Sequence, residues 1–230
     1  MRTRPATIVA GVAALLIFTG FIALGVWQMH RRTWKLALIE QVDARAHALP
    51  VAPPAAGVPV TADRDAYRRV VARGIFLNSS ETLVRAATAL GTGYWVMTPL
   101  RTRDGVILVN RGFVAPEQRT AHGKPQGEQT VTGYLRITEP GGGFLRRNDP
   151  AQGAWYSRDV AAIARARGLH AAPYFIDADR VGDAAPVGGL TVIAFPNNHL
   201  VYMLTWFALA GLTLVCFGIV VRQDRRKAGA

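Results

Sequence analysis

Cysteine is almost missing from this sequence. The single one, Cys216, lies inside an apolar run near the C-terminal end. Disulfides, a cysteine zinc cluster, thiol redox chemistry, a cysteine-based copper site and a C-x-x-C-H site for covalent haem are therefore excluded from the middle of the chain. Acidic residues are also scarce, 15 against 27 lysines and arginines, for a net charge of +12. No G-x-S-x-G elbow, phosphate loop, dinucleotide fingerprint or H-E-x-x-H is present. The acids that could pair, Asp149, Asp159, Asp177 and Asp179, read as turn and cap residues, since Asp149 precedes Pro150 and Asp159 opens a helical segment. No catalytic residue is assigned, and the chain is not expected to be an enzyme.

Apolar residues, in contrast, make up 50% of the sequence, and the excess sits in two places. Residues 6–27 and 200–221 are each about 22 residues long and carry no charge. Runs of roughly 20 such residues cross a bilayer as helices, because lipid offers backbone amides no other partner. The first run is too long for a signal peptide, whose apolar part spans ~7–15 residues, and is read as an anchor. After the second run come Arg222, Arg225, Arg226 and Lys227 against Asp224 alone, whereas the other flank, Pro196-Asn197-Asn198-His199, is neutral. The positive-inside rule then places both termini in the cytoplasm and the intervening domain outside, in a periplasm or its equivalent. Nucleic acid is a poor partner for such a domain. Its positive charge suits anionic lipid headgroups or the carboxylates of a ligand.

The expected organisation is a cytoplasmic N-terminus (1–5), a first membrane helix (6–27), a helical extension (28–49), a Pro/Ala-rich linker (50–63), an extracytoplasmic domain (64–197), a second membrane helix (198–221) and a basic tail (222–230). Alternating apolar residues predict strands at 70–76, 81–85, 94–100, 106–110, 130–138, 173–176 and 190–195. The first two form a hairpin through Asn78-Ser79-Ser80, with Gly74 as a bulge, and the next two flank a five-residue hairpin loop, 101–105, that ends in Asp104-Gly105. One helix is predicted at 159–167, capped by Ser157 or Asp159 and ended by Gly168. The fold class is a membrane protein of α+β type: two transmembrane helices flank a mostly antiparallel, β-rich domain with one or two helices.

Of the five histidines, His47, His122 and His170 fall in linker or loop contexts and are expected to be solvated. His30 and His199 fall where a span meets the outer surface. His199 opens the second helix, with an asparagine before it as cap. Tyr202, Met203 and Trp206 follow on the same face. A neutral imidazole beside aromatic surface, with arginines nearby, provides an axial ligand, a stacking wall and partners for propionates. An interfacial histidine among belt aromatics is the commoner arrangement of the same residues.

Gly25-Val26-Trp27-Gln28, Arg31 and Trp34-Lys35 resemble the W-Q-x-x-R-x-x-W-K pattern of the Surfeit locus protein 1 family. The likeness continues through Tyr67-Arg68-Arg69-Val70, Gly93-Tyr94-Trp95-Val96, Thr98-Pro99-Leu100 and Val109-Asn110-Arg111-Gly112. It runs on in Glu139-Pro140, Asn148-Asp149-Pro150, Trp155-Tyr156-Ser157-Arg158-Asp159, Ile176-Asp177, Asn197-Asn198-His199-Leu200, Tyr202 and Thr205-Trp206-Phe207. Phe113 departs from the family's usual tryptophan. The resemblance implies an assembly factor for haem–copper cytochrome c oxidase in a bacterial inner membrane. It implies non-covalent haem a with His199 on the iron, and oxidase subunit I and haem a synthase as partners. Trp206 and Arg31 are the further cofactor-binding candidates, Arg31 as a propionate partner. No role carries over to His30. The other reading is a membrane scaffold that steadies an oxidase intermediate and holds no cofactor.

Overall fold

The computed structural model describes residues 5–55, 57–143 and 145–228; Arg2 and Arg4 lie outside them. The chain forms two compact units, one from the segment up to Gln41 together with everything from Ala194 on, the other Val42–Ile193.

The first unit consists of two long helices. α1 spans Pro5–His47 and the last helix of the chain, α4, spans His199–Ala228. Both are long and apolar enough to cross a membrane. Within each helix the uncharged run, 6–27 or 200–221, is apolar on all sides, as lipid-facing helices are.

The second unit is a barrel-like mixed sheet. After the short helix α2 (Ala62–Asp65) come β1 (Arg69–Phe76), β2 (Thr82–Thr88), β3 (Gly91–Thr102), β4 (Gly105–Val114), β5 (Glu128–Ile137), α3 (Val160–Ala166) and β6 (Ala171–Ala178). The spatial order is β1-β5-β6-β4-β3-β2, and a further β1–β3 pairing closes the sheet on itself. All ladders are antiparallel except β4–β6. Val70, Leu100, Val109, Leu135, Tyr174 and Ile176 fill the interior. Met97, Leu108 and Phe175 face the other way, onto Trp155 and the Ile163 side of α3. β4 and β6 are thus covered on both faces, which explains why Ile107-Leu108-Val109 and Tyr174-Phe175-Ile176 read as unbroken apolar runs.

Several expectations are corrected. β1 and β2 do not form a hairpin; each pairs with β3, β1 with its C-terminal part and β2 with its N-terminal part. Gly74 keeps the regular register opposite Gln129. It is needed because a Cβ there would collide with the Arg101 carbonyl where β1 meets β3. The register shifts lie instead at Trp95/Met97 and Val106/Leu108. The β3–β4 hairpin exists with a turn of only Arg103 and Asp104 between paired Thr102 and Gly105. Residues 190–195 form no strand. The helix at α3 is capped as expected, the Asp159 carboxylate accepting the Ala162 amide at 3.0 Å. The 50–63 segment is tied down rather than free: Val51 bridges to Val70, and the Tyr174 hydroxyl donates to the Pro54 carbonyl at 2.8 Å. Burial pushes the Tyr174 hydroxyl up to about 12.

Candidate functional site

In the first unit α1 and α4 run antiparallel, and their contacts follow in opposite order along the two helices. Thr7 Oγ1 donates to Asp224 Oδ2 at 2.7 Å. The Phe21 ring stacks on Trp206, centroids 5.7 Å apart. Gly25 is buried against the Phe207 ring, which occupies the space a Cβ would need. Next comes Gln28, only 8% exposed, whose Oε1 lies 2.7 Å from His199 Nδ1. Lys35 ends the series, 5.2 Å over the Phe195 ring.

The Gln28–His199 contact decides the chemistry of the histidine. A carboxamide oxygen only accepts, so Nδ1 is the donor in this contact and Nε2 is not used by it. Orientation of one ring nitrogen by a neighbouring acceptor is the usual way a protein presents the other nitrogen to a metal. His199 starts α4, with the Asn198 carbonyl accepting the Tyr202 amide. Among the described residues no side chain caps this helix start, and Asn197 Oδ1 is buried with no hydrogen-bond partner. Tyr202, one turn on, is 54% exposed. Trp206 lies in the helix seam against Phe21, with its Nε1 buried and unpartnered. The guanidinium of Arg31 sits 4.5 Å above the Trp34 ring, exposed, and a cation–π contact leaves its N–H edge open to a carboxylate. The first unit thus holds the side-chain types that haem sites use: an imidazole with one nitrogen outside the Gln28 contact, aromatic side chains and an arginine. His30 is exposed and takes no part in this arrangement.

Sequence reasoning noticed Gln28 within a pattern but assigned it no role. A polar side chain directly after the uncharged run 6–27 and still on the same helix was the available signal, since an amide buried between membrane helices needs a partner.

The second unit contains two buried polar clusters. His122, expected in solvent, is only 1% exposed; its Nε2 contacts Glu81 Oε1 at 2.9 Å and its Nδ1 the Gln118 carbonyl at 3.0 Å. Arg111 lies 3.5 Å from the same carboxylate, and burial lowers the proton affinity of its guanidinium. Asp177, expected in a turn, is instead inside β6 and 5% exposed. Its carboxylate accepts from Asn110, Arg136, Arg158 and Thr191 at 2.8–3.0 Å. Arg158 also forks onto Glu139 at 2.6 and 3.0 Å. Burial would weaken its hold on the proton, but Asp177 and Glu139 outweigh that and raise it. These groups border a pocket of about 160 Å³. Two guanidiniums meet two carboxylates there and the hydrogen bonds are used internally, which is the arrangement of a structural lock. Asp149 and Asp159 do perform turn and cap duty, Asp149 accepting the Ala151 and Gln152 amides. Asp179 forms a two-pronged pair with Arg69 at 2.6 Å.

The profile of the SURF1 family matches residues 15–211. The chain is 37% identical to Surfeit locus protein 1 of Mus musculus over 86% of its own length and 71% of the relative's. It is likewise 37% identical to the Homo sapiens protein of that name, over 86% and 73%. A SURF1-like protein of Monosiga brevicollis is 34% identical over 90% and 85%. The match runs from the first helix through the barrel and into α4, taking in Gln28, Asp177 and His199, and the chain belongs to the SURF1 family.

Proposed function

We propose that this chain is a membrane-anchored assembly factor for haem–copper cytochrome c oxidase that holds haem a on His199 and assists its insertion into subunit I. The observation that carries this reading is the 2.7 Å contact of His199 Nδ1 with Gln28, which orients the ring and leaves Nε2 for a metal. When bound, haem supplies the iron that Nε2 ligates and the propionates that a cation can meet. Arg31, anchored over Trp34, holds a propionate through its open N–H edge. Tyr202 offers aromatic surface one turn from the imidazole, and Trp206 backs the site from the seam. The barrel faces a bacterial periplasm, both termini face the cytoplasm, and haem a synthase is the source of the cofactor.

His199→Ala, purified from haem a-producing cells, is expected to stay in the membrane and lose the low-spin visible absorption of the wild type. Unchanged haem content and spectrum would overturn the assignment. If wild type itself carried no haem under these conditions, the protein would be a scaffold that steadies an oxidase intermediate without cofactor.

A further inference from the structure

Some arginines of the barrel unit are held by carboxylates and others are not. Arg69, Arg111, Arg136 and Arg158 each face a carboxylate within 3.5 Å. Arg85, Arg119 and Arg146 are in no ion pair among the described residues, and all three are exposed. They are nevertheless close together. Arg85 and Arg146 flank the same ring, lying 5.7 and 5.4 Å from the Tyr156 centroid, and Arg119 lies 5.3 Å over Tyr94. Tyr94 is the register partner of Arg85 on β3. Arg85, Arg146 and both tyrosines surround a groove of about 370 Å³ that no carboxylate lines. Aromatic faces fix the guanidiniums without neutralising them, so each keeps its charge and its N–H edge for a ligand.

The floor of the groove is sheet edge. β2 is the last strand in the order, and the Arg85 amide points away from β3, donating to the Trp155 carbonyl at 2.9 Å. Hydrogen bonding alternates along an antiparallel ladder, so the Ala87 amide and carbonyl also point outward. The segment at Trp155 pairs with β2 only at Val84, and nothing among the described residues covers the edge at Ala87. Small side chains at Ala86, Ala87 and Thr92 leave that floor open.

We propose that this groove is a docking site for an extended acidic segment of a partner protein, which adds as a short strand to β2 at Ala87 and presents carboxylates to Arg85 and Arg146. Outward main-chain groups give the affinity of strand addition, and the unpaired guanidiniums select acidic side chains on the facing side. The site is separate from His199 and needs no cofactor.

The test uses the full-length protein in detergent and a fluorescein-labelled hexapeptide of alternating glutamate and valine, followed by anisotropy. The peptide is expected to bind, and to bind more weakly as salt rises. Arg85→Gln/Arg146→Gln should weaken it about tenfold, and Ala87→Pro, which removes the outward amide while leaving the charges, should do the same. Circular dichroism and gel filtration check that both variants remain folded; both exchanges are at exposed positions. The proposal is overturned if the glutamine/valine peptide binds as tightly, if either variant binds like wild type, or if citrate alone displaces the peptide with equal affinity. Binding of phosphatidylglycerol vesicles through these arginines without peptide binding would overturn it too, by assigning the groove to lipid.

Discussion

A carboxamide buried between two membrane helices is costly unless paired, and Gln28 is paired with Nδ1 of His199. Gln28→Leu should keep His199 in place but release the ring, lowering haem affinity about tenfold. Gln28→Glu, which still accepts from Nδ1, should retain most of the binding. Titration of haem a monitored in the visible region checks both. The same titration on Arg31→Ala should show a loss of several-fold, as for a partly exposed guanidinium–carboxylate pair of ~1 kcal/mol. Far from this site, Asp65 is 1% exposed and accepts from the Thr61 amide and Arg64. Burial pulls its proton affinity up, but these hydrogen bonds and the charges of Arg64 and Arg68 bring it below the ordinary carboxylate range. A depressed value means stabilisation that is present above about pH 4 and lost as pH falls through the folded value. Asp65→Asn should therefore cost about 2 kcal/mol at neutral pH and almost nothing in strong acid, read from thermal unfolding of the barrel signal. His199 stood out in the sequence because it opens a helix beside aromatics, whereas its contact with Gln28 was not legible. His122 and Asp177 were misread because loop and turn propensity says nothing of which distant strand will cover a side chain.

Between elements, the α1–α4 seam depends on a small residue. The Phe207 ring fills the place of a Gly25 side chain, and close approach there brings Gln28 and His199 within hydrogen-bonding distance. Gly25→Leu should force the helices apart and reduce haem retention as strongly as Gln28→Leu, with membrane insertion intact. Spectra of the purified variant and its membrane content measure the two effects separately. Run length in the sequence was enough to find both helices, since about 20 apolar residues have one solution in lipid. Their facing sides were not legible, because a helix apolar all round carries no periodic signal. Apolar patterning located β1 to β6 but also pointed to residues 190–195, which form no strand, and of the strand partners only the β3–β4 hairpin was legible. The gap between β1 and β2 looks like a hairpin turn, and only the closing of the sheet shows that both strands turn to β3 instead.

For the molecule as a whole, the charge asymmetry of the C-terminal tail fixes an expected topology. Alkaline phosphatase fused after Gly141 should be active and fused after Arg226 inactive. The reverse pattern would place the barrel in the cytoplasm. Closure of that barrel has a consequence for synthesis. β6 is the last strand to be made, yet it lies between β4 and β5 rather than at an edge. Until residue 178 has left the ribosome, β4 and β5 each stand with one unpaired border, and no shorter product can zip them together. A chain ended early by a stop codon anywhere before β6 thus loses its keystone, not a dispensable end. Such fragments offer open strand edges to one another, and clearance by proteases or aggregation is their expected fate, however much of the upstream sequence they retain.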